Sequence, residues 1–168
     1  MVLSKFKERA GWIITLFAAI LALNSILDSG NSSQILSDTI EANNVWAFYQ
    51  AKAIKQNLAE VQLENSKDPE KIRQIAAKIE RYESDPKSGE GKKELMAKAR
   101  AIEANRAVCE LRAPWYTFAN ALFQIAIVIM AAAMISLSIR MYWISIGTGI
   151  FSILLMLQGF WLFLPITL

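Results

Sequence analysis

The side chains able to do chemistry are few, and their spacing decides what they can be. Ser88 to Lys93 runs Ser-Gly-Glu-Gly-Lys-Lys, which looks like a phosphate-binding loop, where backbone N–H groups cradle phosphate and a lysine reaches it. Such a loop needs a glycine five positions before its Gly-Lys pair and a hydroxyl directly after it. Pro86 and Lys93 hold those places, so a flexible turn is expected instead. Glu60 and Glu64 form a carboxylate pair at helical spacing, but their surroundings carry charge of both signs, where a solvated face is the ordinary outcome. Histidine is absent and Cys109 is the single cysteine, which excludes a Cys/His zinc site and an intrachain disulfide. Cys109 is expected to pack as a small apolar residue. No nucleophile with its base, no metal set and no cofactor loop can be assembled. No catalytic, metal or cofactor-binding residue is therefore assigned, and a non-enzymatic protein is expected.

The other notable side chains are polar ones set in apolar runs. Hydrophobic residues make up 54% of the chain, above the roughly 45 to 50% of soluble domains. The excess lies in three uncharged runs: Ala10 to Leu27, Tyr116 to Ile139 and Met141 to Leu168. Each is long enough for a bilayer core, which takes about 17 to 25 helical residues. A soluble chain of this length could not cover three such helices on every side. Small and polar residues line up at helical spacing in each run: Gly11, Thr15, Ala18, Ala22 and Ser25; Thr117, Asn120, Gln124, Ala131 and Ser138; Ser145, Thr148, Ser152 and Gly159. In lipid, small residues permit close helix contact and amides bond across it. Helix packing is one reading. A polar pore lining in an oligomer is the other, with Asn120, Gln124 and Gln158 as its candidates. No run holds an ionisable side chain, and such groups usually mark proton relays and ion sites. That argues against a proton-coupled transporter and leaves a passive channel open.

The net charge of +3 has a definite location. Asp28 to Trp115 carries 14 Lys and Arg against 14 Asp and Glu, so the excess comes from Lys5, Lys7 and Arg9 less Glu8, plus Arg140. A nucleic-acid footprint would need a basic face on the soluble part, and no nucleic-acid partner is expected. Basic flanks favour the cytoplasmic side. The amino terminus and the Arg140 turn are therefore expected inside, with the 28–115 segment and the carboxyl terminus outside. Trp12, Tyr142 and Trp143 would mark the inner interface, and Trp115, Tyr116 and Trp161 the outer one. No small-x-small cleavage site follows the first run, which is expected to be a retained anchor.

The expected class is all-α: three transmembrane helices, with a long soluble helical hairpin between the first and second. Its parts are 1–28 (flank and first span), 29–115 (a coiled-coil-like hairpin) and 116–168 (a transmembrane hairpin turning at Arg140). Gly30, Asn31, Ser32 and Ser33 predict a break after the first span, and a helix from about Gln34 to Asn65 should follow. Its stripe, Ile40, Asn44, Ala47, Ala51, Ile54, Leu58 and Val61, alternates spacings of four and three, which is a coiled-coil seam. Asn44 is its polar member, a type of residue that can fix register or oligomer state. Asp68, Pro69 and Glu70 predict the next helix start, with Ile72, Ile75, Ile79 and Tyr82 on one face and an end near Asp85. A third helix from about Lys92 to Leu111 shows two faces, one with Leu95, Ala99, Ile102 and Cys109, the other with Ala97, Ala101, Ala104, Val108 and Leu111. Pro114 predicts a kink or hinge where it meets the second span.

Asn43 to Gln56 is the most unusual soluble stretch. Trp46, Phe48 and Tyr49 cannot share one seam, so at least one is exposed or covers a second surface. They are the candidate protein contact. Trp46, Ala47, Tyr49, Gln50, Ala51, Lys52, Ile54 and Lys55, with the Leu122 to Val128 run Leu-Phe-Gln-Ile-Ala-Ile-Val, resemble a family of bacterial membrane proteins known only as domain of unknown function 4337. The order of one span, a helical segment and two spans is also similar. The resemblance implies a bacterial inner-membrane protein and assigns no functional residue. The expected partners are membrane lipid and further copies of the chain or a larger membrane complex, with the chain acting as scaffold or accessory subunit. A homo-oligomeric channel is the alternative.

Overall fold

The computed structural model describes residues 2–162, which are helical with no strand among them: α1 (Val2–Asn65), α2 (Pro69–Glu83), α3 (Lys92–Ser136) and α4 (Ile139–Trp161). Three of these, α1, α3 and α4, are long and apolar enough to cross a membrane. The end of the third run, from Phe163 to Leu168, and with it the side assigned to the carboxyl terminus, lies outside the described residues.

Three expected boundaries are corrected. No break occurs at Gly30 to Ser33, because α1 continues unbroken through them. Asn31 does not cap a new helix; its Nδ2 donates to the Cys109 carbonyl at 2.8 Å. The helix expected to end at Leu111 does not stop there but continues through Pro114 into the second apolar run as one helix, α3. The turn before α4 falls at Leu137 and Ser138 instead of Arg140, which sits in the first turn of α4. Leu137 takes the left-handed conformation with φ 54°, and the Ser138 N–H donates to the Ala133 carbonyl at 3.2 Å. That pattern closes a helix as glycine usually does, here with a leucine that no sequence rule would choose for it.

The described chain divides into two compact units, one of residues 1–34 and 108–168, the other of residues 35–107. In the first, α3 buries Tyr116, Ala119, Phe123, Ala126, Met130 and Ala133, whose spacings of three and four form one continuous stripe. Along α1 the inward positions are Ala10, Phe17 and Asn24, seven residues apart. On α4 they are Ser145, Ser152 and Gly159, at the same interval. The small stripe read on α4 is thus the packing face. The one read on α1 is not: Thr15, Ala18, Ala22 and Ser25 are exposed. Gly149 is pressed against the Phe17 ring so closely that a Cβ there would collide with it, and Phe17 in turn lies 6.3 Å from Phe123. The Ser145 hydroxyl donates to the Ala126 carbonyl at 2.6 Å, tying α4 to α3.

In the second unit α1 and α3 are antiparallel, since Asp38 pairs with Asn105, Trp46 with Glu103 and Gln56 with Lys92. The apolar centre is small: Val45, Leu95 and Ala99, with Trp46, Tyr49 and Ile102 against it. Here the seam is corrected. The face of α1 that packs in the unit runs through Asp38, Ala42, Val45 and Ala59, all buried, whereas Ile40, Asn44, Ala47, Ala51, Ile54, Leu58 and Val61 are all exposed. On α3, likewise, Leu95 and Ala99 are buried while Ala97, Ala101 and Ala104 are exposed. The start of α2 is as expected: Asp68 caps it, its carboxylate accepting from the Glu70 N–H at 3.0 Å, with Pro69 next. α2 ends at Glu83 and has no buried residue.

The corner between α2 and α3 is held by carboxylates. Glu94 accepts from the Ser84 hydroxyl at 2.7 Å and from the Asp85 N–H at 3.2 Å. A Cβ on Gly91 would strike the Glu94 carboxylate and the Asp85 backbone, so only glycine fits beneath that bridge. The Ser84 hydroxyl holds the Glu94 carboxyl below its ordinary range. Lys92, 3.0 Å away, does the same for Glu83, and Ser88 for Asp85. Carboxyls that are more acidic in the folded chain contribute stability above the ordinary carboxylate range, and it is lost as pH falls through their lowered values. Amide protection over residues 84–95 is expected to fall on acidification below about pH 4 before that of the α1 and α3 helices, as the ordinary carboxylate range implies. Glu94→Gln should flatten this pH response, which hydrogen exchange read by mass spectrometry will check.

Candidate functional site

Polar side chains inside an apolar helical unit are costly and must be accounted for one by one. Asn24 is fully buried on α1, and its Nδ2 donates to the Tyr116 carbonyl at 2.9 Å and to Asn120 Oδ1 at 2.8 Å. The same Asn120 oxygen accepts from the Ser25 hydroxyl at 3.1 Å, and Asn120 Nδ2 donates to Asp28 Oδ2 at 3.0 Å. Four side chains on two helices thus form one connected network. Helical spacing explains it, because Asn24, Ser25 and Asp28 lie within one turn of α1. Asn24 Oδ1 is buried with no hydrogen-bond partner.

Of the three amides singled out in the sequence, Asn120 is spent within its own unit in this network. Gln158 is buried, one residue before Gly159, whose Cα lies against Trp115 and Tyr116. Gln124 is exposed on α3, in a shallow recess with Ala121, Ile125 and Val128. The structure therefore separates them: two face inward and one outward. Asn24 is not among the residues that the sequence singles out, although it is the most deeply buried polar side chain of the cluster. Its position seven residues from Phe17, and from Asn31 beyond it, was the available signal.

The aromatic patch separates in the same way. The Trp46 Nε1 donates to Glu103 Oε1 at 2.8 Å and its ring meets Tyr49 edge-on at 5.4 Å, so both rings belong to the unit's own packing. Phe48 is 65% exposed. A cleft of about 470 Å³ beside it is lined by Asn44, Lys52, Lys55, Glu90 and Lys98 among others. Two of its lysines are already matched, Lys52 to Glu90 at 3.2 Å and Lys98 to Glu41 at 3.0 Å, which leaves it poor in free positive charge. No group of three or more His, Cys, Asp or Glu that could hold a metal occurs among the described residues. Cys109 is buried, as its expected packing role requires.

Residues 6–162 match the family described as Domain of unknown function (DUF4337). The chain belongs to that family. No curated protein and no solved structure matches it. The match takes in both units of this DUF4337 chain, so the polar network, the exposed Phe48 and the exposed α1 stripe all lie within the family domain.

Asn120 is the hub of the network, accepting two bonds and donating one. Asn120→Leu is expected to lower the unfolding free energy in detergent by about 0.6–2 kcal/mol, the range of interhelical polar contacts in membranes, whereas Gln124→Leu should leave it unchanged. Reversible unfolding of the two variants side by side will measure the difference.

Proposed function

We propose that this is a non-enzymatic membrane protein, acting as an oligomeric scaffold or an accessory subunit of a membrane assembly in the inner (plasma) membrane of a bacterium. One observation carries the reading. In the 35–107 unit, large apolar side chains stay exposed on a single helix: Leu36, Ile40, Phe48, Ile54, Leu58 and Val61 are each more than half accessible. Charge of both signs is abundant in that stretch of sequence, so its solvent is water, and contiguous apolar surface in water favours association.

The proposed orientation has the amino terminus in the cytoplasm and the helical segment on the outer side. It draws support from the charge distribution and from one recess, where Lys5, Phe6 and Arg9 of α1 meet Ile139, Tyr142 and Trp143 of α4. The two basic flanks thus share one end of their unit, as a common cytoplasmic face requires.

The test is the mass of the full chain purified in mild detergent. A species well above the 18.8 kDa of one chain, after allowance for bound detergent, is expected; a monodisperse monomer would overturn the reading. The channel alternative rests on Gln124, an amide on the exposed side of α3 amid apolar neighbours, where lipid offers it no partner. Reconstituted bilayers should stay silent under the scaffold reading. Conductance that Gln124→Leu alters would favour the channel.

A further inference from the structure

We propose that the exposed face of α1 between Leu36 and Gln62 pairs in parallel with the same face of a second copy of this chain, as a two-stranded coiled coil. This names the partner in the assembly reading above and rests on it. With Asn44 as an a position, the heptads from Leu36 to Gln62 have Ser37, Asn44, Ala51 and Leu58 at a, and Ile40, Ala47, Ile54 and Val61 at d. The four a, d, e and g positions in each of these four heptads, sixteen in all, are exposed without exception. The b and f positions instead pack within the unit, with Asp38, Ala42, Val45 and Ala59 buried. The helix therefore has two sides with separate uses, and the outer one is periodic at 3.5 residues, the repeat of two helices wound together.

Charge chooses the occupant. No a, d or g position from Leu36 to Val61 is charged, although Asp38, Lys52 and Glu60 lie on other sides of the same stretch. In a parallel pair each g residue meets the e residue five positions on in its partner. The resulting neighbours are Leu36 with Glu41, Asn43 with Phe48, Gln50 with Lys55 and Asn57 with Gln62, and none sets like charges together. Direction follows from Asn44. In a parallel pair an a residue faces its own copy, so the two amides can bond to each other; reversed, Asn44 would face an apolar d residue with its amide unmatched. The chain order agrees, since in every copy inserted the same way α1 comes from the first apolar run into this segment. At the roughly 30 Å² that each residue of a standard interface loses, sixteen positions give about 500 Å² per copy and about 1,000 Å² for the pair, the size at which specific interfaces begin. Tethering both copies in one membrane raises their effective concentration and lowers the affinity needed.

Cysteine scanning of the full chain in membranes, in a Cys109→Ser background, tests the pairing. Ile40→Cys and Val61→Cys, about 30 Å apart along the helix, should each form a same-residue disulfide dimer on mild oxidation, and Glu60→Cys, at a c position, should not. Adding Ile54→Glu places two buried like charges face to face and should cut the Ile40→Cys cross-link about tenfold or more. Because Ile54 is exposed within its own chain, helix content by circular dichroism should be unchanged. Cross-linking confined to one position near the middle of the stripe would mean an antiparallel pair and overturn the proposal. So would cross-linking at Glu60→Cys as strong as at the seam. A large native mass without same-residue links would overturn it in favour of a different partner while the assembly reading stands. A monomer in mild detergent would remove both.

Discussion

In the unit formed by residues 1–34 and 108–168, helices are held by close contact and by a few polar bonds. Apolar helices in lipid gain little from touching one another, because lipid tails satisfy them equally well. What distinguishes one arrangement from its neighbours is where small residues permit approach and where polar groups must be matched. Asn24 and Asn120 supply the second condition between α1 and α3, and Ser145 does so between α4 and α3. Gly149 beneath Phe17 and Gly159 beneath Tyr116 supply the first. A slip of one residue in α1 would turn Asn24 by about 100° away from Asn120, so these contacts set the register of the whole unit.

The unit of residues 35–107 obeys a different rule. Its apolar centre is three buried residues with a partly buried surround, and much of the remaining contact is between charged or polar side chains at the surface, such as Lys98 with Glu41. Exposed ion pairs contribute little each. The better apolar side chains of α1 lie on the opposite face. A unit that keeps its stronger hydrophobic stripe outside is incomplete as a water-soluble fold, and that imbalance is the physical root of the assembly reading.

Much of this was legible in the sequence because it depends on local chemistry. Asp68 followed by Pro69 and Glu70 marks the start of α2, because capping and proline geometry are read from neighbours in the chain. The seam from Ile40 to Val61 was visible as a period. Its use was not, since periodicity shows that a face exists and not what covers it. The errors came where tertiary contact overrode local preference. Gly30 to Ser33 carries turn residues, yet Asn31 finds the Cys109 carbonyl on a neighbouring helix and the helix continues. Leu137 takes a conformation that suits glycine because two helices must reverse there. Asn24 does not stand out in the sequence, because one amide in an uncharged run leaves the pattern apolar, although it is the residue around which two helices are matched.

The α2 helix has capping at its start and a carboxylate bridge just beyond its end, with no buried side chain between them. Little free energy separates its docked form from an open one, so this element belongs to the low-stability end of the local unfolding spectrum. Lifting it away would open the recess that Gln56 and Leu63 of α1 share with Ala76, Ile79 and Glu83 of α2, while leaving the Val45, Leu95 and Ala99 centre intact. The segment from Ser66 to Gly91 can therefore act as a removable cover, and a protease or a chaperone meeting the native chain would engage it there first.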